Sequence, residues 1–306
     1  MKTPTALKKG DIIGIVCTAR KIDMKDLQPA IDIIDSWGFR VVLGKSVFME
    51  DHQFAGDDNT RAEDFQNMLD NKNVRAIIIA RGGYGTVRMI DKLDFKKIKK
   101  NPKWIIGYSD ITVLHNHINR HCKTETLHAS MPINFSTNEP AALQSLRDVL
   151  QGNTLSYSFQ SNFENKPGKA KGKLTGGNLS VLYSLSGTDS DVDTDGKILF
   201  LEDLDEYLYH IDRMLMQLKR NGKLKNLKGL LVGGFTDMKD NTVTYGKTAY
   251  EIIYEHVKEY NYPVAFNIPA GHIPNNHALI MGRKVKIEVS KTECAMAFDS
   301  KPLFHF

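Results

Sequence analysis

The chain has 306 residues, 41 Lys and Arg against 36 Asp and Glu for a formal net charge of +5, and 41% hydrophobic with 25% charged residues. That is ordinary globular composition, which excludes a disordered or fibrous chain, and the length favours two domains over one core. Three cysteines (Cys17, Cys122, Cys294) are too few for a disulfide scaffold or a cysteine-based zinc site and point to a reducing compartment. The opening MKTPTALKKGDIIGIVC has no secretory apolar region, and no segment reaches the roughly 18 apolar residues of a membrane span, so a cytoplasmic setting is expected.

In chain order, Ile12–Cys17 reads as a strand and Asp26–Trp37 as a helix with Leu27, Ile31 and Ile34 on one face. Phe39–Leu43 is a second strand, Thr60–Leu69 a second helix, and Val74–Ala80 a buried strand. Trp104–Gly107 and the helix Asp110–His121 follow. Uniformly apolar strands separated by helices predict an α/β domain over 1–150, built on a doubly wound, mostly parallel sheet. Residues 151–172, rich in Ser, Asn, Gly and Lys without helical period, read as the interdomain linker. From 173 to 306 the pattern is mixed: a Gly-Gly turn with a helix (Gly176–Ser186), a strand (Ile198–Leu201) and a long helix (Glu206–Arg220). An apolar run (Leu227–Gly233), a helix (Tyr245–Tyr260) and short strands through Ile287 complete a smaller α+β domain.

Two basic runs, one at Lys96, Lys97, Lys99, Lys100 and Lys103 and one from Lys219 to Lys228, lack the interleaved aromatics of a nucleic-acid surface. They read as solvated helix ends, and nucleic acid is not expected as a partner. His117 and His121 are spaced i, i+4, but neither a HExxH glutamate nor a third ligand accompanies them, so no metal is expected.

Four segments can carry chemistry. In KWIIGYSDIT (103–112) a strand runs through Gly107-Tyr108-Ser109-Asp110 into a helix, which suits an exposed nucleophilic serine. Ile111 stands where the strict G-x-S-x-G pattern has glycine, and a serine at a helix start also serves as an N-cap. Arg81-Gly82-Gly83-Tyr84-Gly85 follows the buried strand; its glycines are a tight turn that also exposes backbone N–H donors. It is not a dinucleotide fingerprint, because position 88 is Arg and the turn after the first strand has no glycine. ILFLEDLDE (198–206) puts Glu202 at a strand tip, where it either orients a histidine or belongs to a helix start; Asp203, Asp205 and Glu206 suit a helix dipole. In PAGHIP (269–274), His272 sits in a proline-stiffened loop that would give a general base fixed geometry, or is incidental. Ser109, Glu202 and His272 follow the order Ser, acid, His seen in serine hydrolases, with the serine and its partners in different domains and a site expected in the cleft between them.

Together, RGGYG (81–85), GYSDIT (107–112), LTGGNL (174–179), FLEDLDEYLYHIDRML (200–215) and the GH at 271–272 resemble the LD-carboxypeptidases, the serine peptidase family that also includes the microcin C immunity hydrolases. The match runs in order from the first strand to the end of the chain. The resemblance implies a triad of Ser109, Glu202 and His272, with an oxyanion hole from the N–H groups of Gly83 and Asp110. Substrate contacts would come from Arg81, Gly82 and Tyr84. It implies a homodimer without metal or organic cofactor. The implied reaction removes the terminal D-Ala from a muropeptide tetrapeptide during peptidoglycan recycling in the cytoplasm. Two positions depart from the family's pattern: Cys17-Thr18-Ala19-Arg20 where Ala-Pro-Ser is more usual, and Ala129 after His128 where glycine is usual. The rivals are a peptidyl-nucleotide immunity hydrolase, which needs an aromatic platform, and a non-catalytic binder of cell-wall peptides.

Overall fold

The computed structural model describes residues 1–300; the tail 301–306 of the expected second domain lies outside the described residues. The chain divides into two units, one of Met1–Asn153 with Pro274–Gly282, the other of Thr154–Ile273 with the segment from Arg283 onward.

In the first unit, β1 (Ile12–Val16), α1 (Met24–Ser36), β2 (Arg40–Leu43), α2 (Asp58–Asp70) and β3 (Val74–Ile79) alternate as the apolar pattern requires. They are followed by α3 (Thr86–Met89), α4 (Lys96–Lys100), β4 (Trp104–Gly107), α5 (Thr112–His117), β5 (Thr126–His128) and α6 (Pro140–Gln151). β1 lies between β2 and β3, and β3, β4 and β5 continue outward, all parallel. The strand Leu279–Met281 closes the β5 edge antiparallel. Because the chain turns one way from β1 to β2 and the other way from β3 to β5, the carboxyl ends of β1 and β3 form a topological switch point, where sheets of this kind open a crevice for ligands. The strand cores are buried on both faces, as Ile13, Ile15, Ile77, Ile78, Ile105 and Ile106 show. Asp57 caps α2 by accepting the Thr60 N–H at 2.7 Å.

The second unit holds β6 (Ser156–Gln160), β7 (Gly168–Asn178), α7 (Leu179–Ser184), β8 (Ile198–Leu204), α8 (Leu208–Arg220), β9 (Gly229–Thr236), α9 (Ala249–Val257) and β10 (Val264–Ala265). With β11 being the edge strand Leu279–Met281 already placed, β12 (Lys284–Val289) and β13 (Glu293–Phe298) complete it. The sheet order is β10-β9-β8-β7-β12-β13-β6, parallel from β10 to β7 and antiparallel beyond. α7, α8 and α9 cover one face of the parallel half through Leu182, Ile211, Leu215, Leu218, Ile252 and Val257. β12 and β13 alternate buried and exposed residues, as one-sided antiparallel strands do.

Two expectations need correction. Residues 151–172 are not a plain linker: the boundary falls after Asn153, and the segment supplies β6 and the start of β7. Tyr157 and Phe159 alternate with polar residues there, which suits an exposed edge strand. The first unit also reclaims residues 274–282, because Leu279–Met281 pairs with β5.

Candidate active site

Trp104–Gly107 is fully apolar and ends where the backbone must turn out of the sheet. Gly107 has φ +154, and a Cβ there would lie 2.8 Å from Ile111 Cγ1, so only glycine lets Ile111 fold back beneath the turn. His115 fixes that turn from below. Its Nε2 donates to the Gly107 carbonyl at 2.8 Å, and its Nδ1 accepts from Thr126 Oγ1 at 2.9 Å. Burial pushes its pKa down to about 3, so the ring stays neutral and keeps this tautomer.

Ser109 follows with φ +63, a left-handed conformation that costs a serine about 1–2 kcal/mol. It is the first residue of a 3₁₀ turn, Ser109–Ile111, that leads into α5, and neither segment is capped by a side chain. The N-cap alternative for Ser109 therefore does not describe it. The strained turn and half-exposed hydroxyl have the form of a nucleophile elbow despite Ile111. A Cβ on Gly82 would lie 3.3 Å from Ser109 Cβ and 3.4 Å from its Oγ, so the glycine turn after β3 runs directly past the hydroxyl. Gly83 has φ +113, and its N–H has no acceptor among the described residues. Asp110 is buried; its carboxylate accepts the Thr86 N–H at 2.9 Å, and burial raises its pKa to about 6 against that bond.

In the second unit, β8 carries Glu202 with no exposure to solvent, and its Oε2 lies 2.6 Å from His272 Nδ1. An ionised carboxylate only accepts, so Nδ1 donates and Nε2 is the basic nitrogen. Gly271 makes this approach feasible: at φ +109, a Cβ there would sit 2.8 Å from Glu202 Cβ and 2.9 Å from Oε2. Thr236 Oγ1 donates to the His272 carbonyl at 3.2 Å and ties the loop to the end of β9. Burial pulls the His272 pKa down, but the Glu202 charge, its hydrogen bond and the Asp203 charge outweigh it, and the net shift is upward.

Residues 13–129 match the LD-carboxypeptidase N-terminal domain, and residues 171–287 match the LD-carboxypeptidase C-terminal domain. The chain belongs to the LD-carboxypeptidase family. It is 35% identical over 293 residues to a probable murein peptide carboxypeptidase of Bacillus subtilis (strain 168), covering 94% of this chain and 92% of that protein. The crystal structure of a muramoyltetrapeptide carboxypeptidase from Oxalobacter formigenes superposes with a TM-score of 0.86 at 27% identity, covering 95% of this chain and 99% of that one. The microcin C7 self immunity protein MccF also superposes with a TM-score of 0.86, covering 96% and 98%, at 22% identity; that likeness is one of fold. The chain is accordingly a carboxypeptidase of the serine peptidase type, with the expected α/β and α+β architecture.

Around the elbow of this LD-carboxypeptidase, the structure adds residues that the motifs did not single out. Thr18 Oγ1 and Thr86 Oγ1 share a 2.8 Å hydrogen bond, and the fully buried Arg61 donates through Nε to the Thr18 carbonyl at 3.2 Å. Gly85 lies so close to this loop that a Cβ would meet Ala19 Cα at 2.9 Å. The segment after β1 and the glycine turn after β3 thus form one packed layer at the switch point. Arg81 reaches the Lys21 carbonyl at 3.4 Å through Nη1, and Tyr84 is 51% exposed.

Asp203 corrects the helix-dipole reading in its detail. It is buried and accepts from Asn178 Nδ2 (2.9 Å), the Ser180 N–H (2.8 Å) and the Leu204 N–H (2.9 Å), so it serves the start of α7 rather than of α8. Burial and the neighbouring Glu202 charge push its pKa up to about 7 against those three bonds. Lys103 is likewise no solvated helix end. It is buried, with Nζ donating to Met68 O at 2.9 Å and to Asn71 O, where it satisfies carbonyls at the end of α2.

Proposed function

We propose that this chain is a serine LD-carboxypeptidase that removes the terminal D-Ala from muropeptide tetrapeptides during peptidoglycan recycling in the cytoplasm, acting as a homodimer. Ser109 is the nucleophile, His272 the general base and Glu202 its orienting carboxylate. The N–H groups of Gly83 and Asp110 form the oxyanion hole. Arg81, Gly82 and Tyr84 lie on the substrate side of the same turn.

Ser109 Oγ attacks the carbonyl of the third residue while His272 Nε2 takes its proton, and Glu202 stabilises the imidazolium. The negative charge on the carbonyl oxygen is met by the two N–H groups, each worth about 10²–10³ in rate. Collapse expels D-Ala, whose amine takes the proton from His272 and leaves a tripeptidyl ester on Ser109. Water, deprotonated by His272, then hydrolyses the ester and restores the serine.

The observation that carries this reading is the solvent-free Glu202 bonded to His272 Nδ1 at 2.6 Å. A non-catalytic binder gains nothing from burying a carboxylate against a histidine, since such burial is costly. Neither tryptophan offers the peptidyl-nucleotide reading a platform, since Trp104 is fully buried and Trp37 packs on Phe135 with ring centroids 6.1 Å apart; the exposed aromatics are tyrosines, Tyr84, Tyr207 and Tyr209 among them. The cytoplasmic part is supported by three free, buried cysteines. Among the described residues no helix is long and apolar enough to cross a membrane.

The test is mass spectrometry of L-Ala-γ-D-Glu-diaminopimelate-D-Ala incubated with wild type and with Ser109→Ala. Loss of one alanine with wild type alone is expected. An intact tetrapeptide after incubation with folded wild type would rule out diaminopimelate as the third residue of the substrate, and the same assay on the lysine tetrapeptide and the peptidyl-nucleotide would then decide between those two.

A further inference from the structure

A carboxypeptidase substrate differs from an internal peptide by one feature, a carboxylate three bonds from the carbon under attack. That carboxylate is best received by a cation or a helix N-terminus close to the oxyanion donors. Five cations surround the glycine turn. Lys21 pairs with Glu50, Arg61 and Arg88 both pair with Asp58, and Arg81 donates to the Lys21 carbonyl. The guanidinium of Arg20 has neither a carboxylate nor a hydrogen-bond acceptor among the described residues. Its stem is nevertheless placed. The Arg20 N–H donates to the Gly82 carbonyl at 3.4 Å, its backbone bridges to Phe54, and Thr18 and Ala19 before it are fully buried. A Cβ on Gly83 would lie 2.7 Å from Arg20 Cγ and Cδ and 2.9 Å from Nε, so the arginine fills the face that the glycine leaves bare. Gly82, whose Cβ position is 3.4 Å from Ser109 Oγ, is the adjoining residue, with its Cα about 3.8 Å from that of Gly83.

We propose that Arg20 receives the free carboxylate of the departing C-terminal residue, so that the loop after β1 selects a chain end over an internal amide. This rests on the reaction proposed above and assigns the carboxylate to Arg20 rather than Arg81. A planar guanidinium offers a carboxylate two parallel N–H donors, which an ammonium does not, and its attachment to the glycine turn fixes the carboxylate in register with the oxyanion donors.

The experiment measures kcat/KM on the tetrapeptide acid and on its C-terminal amide for wild type, Arg20→Met, Arg20→Lys and Arg81→Ala. Methionine keeps an unbranched stem over Gly83 without the charge. Wild type should prefer the acid by about 10–10²-fold, the gain of one charge-assisted pair. Arg20→Met should bring the acid-to-amide ratio close to one, Arg20→Lys should retain part of it, and Arg81→Ala should keep it within about threefold. An unchanged ratio in Arg20→Met, or equal losses on acid and amide, would overturn the assignment while leaving the carboxypeptidase intact. Failure of wild type to cleave the acid would overturn the underlying reaction and the assignment with it.

Discussion

At the end of β4, Ser109 is held by backbone conformation: φ +63 on the serine, φ +154 on Gly107, and a neutral histidine gripping the Gly107 carbonyl. At the end of β8, Glu202 and His272 are held by side chains, through burial, a 2.6 Å hydrogen bond and a glycine that clears the way for it. A nucleophile must present one atom at one place, which local strain accomplishes without charge. A base must also have the right proton affinity, which requires a charge in a low-dielectric setting. The two regions should therefore fail differently, the first to added bulk and the second to altered charge.

The largest effect is expected at the serine. Ser109→Ala should lower tetrapeptide turnover by 10³-fold or more, roughly, while urea denaturation shows unchanged or higher stability, because alanine needs no side-chain placement. Gly82→Ala breaks the same region by bulk, since its Cβ would press against Ser109 and Met131 Cε at 3.1–3.4 Å, and about a tenfold or greater loss of kcat with little loss of stability is expected.

In the base region, Glu202→Gln keeps the shape but removes the charge, and kcat should fall by about 10²–10⁴. Gly271→Ala puts a Cβ 2.8 Å from Glu202 at a positive φ and should cost about 1–3 kcal/mol in urea denaturation as well as activity. Were Gly271→Ala fully active, the loop would not be the device that sets the Glu202–His272 contact.

The smallest effect belongs to Asp110, whose pKa is raised to about 6 in the fold against roughly 3.9 unfolded. Between those values the folded chain binds more protons, so the contribution of this group to stability is present below about pH 4 and falls as pH rises to 6. Asp110→Asn still accepts the Thr86 N–H but cannot titrate. The stability difference between wild type and variant should shift by about 1–2 kcal/mol across that window, and a flat difference would show that Asp110 is ionised throughout.

Much of the fold was legible in the sequence because the central α/β strands are apolar at nearly every position and helices keep a 3.6-residue spacing. The helix α6 carries an equally clear pattern in Ala142, Leu146, Val149 and Leu150 that the expectations above omit. β6 is masked by polar alternation, since this edge strand only half-buries Tyr157 and Phe159 on one side. The return of Leu279–Met281 to the first sheet is a long-range pairing that no local pattern encodes.

At the site, Ser109, Glu202 and His272 stood out because each lies at a strand end or in a glycine-bearing loop. Arg20 and Asp203 did not, because their roles depend on which loops the sheet order brings together. Lys103 reads as one more solvated lysine for a related reason. In a run of lysines, nothing local marks the one whose ammonium meets the carbonyls at the end of α2.

The most direct test of the central claim is the pH dependence of kcat/KM for wild type and Glu202→Gln on the tetrapeptide. A base works deprotonated, so activity falls as pH drops through the His272 pKa, which Glu202 and Asp203 hold above the ordinary histidine value of about 6.5. Wild type should show its acid limb above that value. In Glu202→Gln the burial penalty is no longer outweighed, so the limb should move to lower pH even as the maximal rate falls. A limb in the same place in both enzymes would contradict the assignment of His272, tuned by Glu202, as the catalytic base.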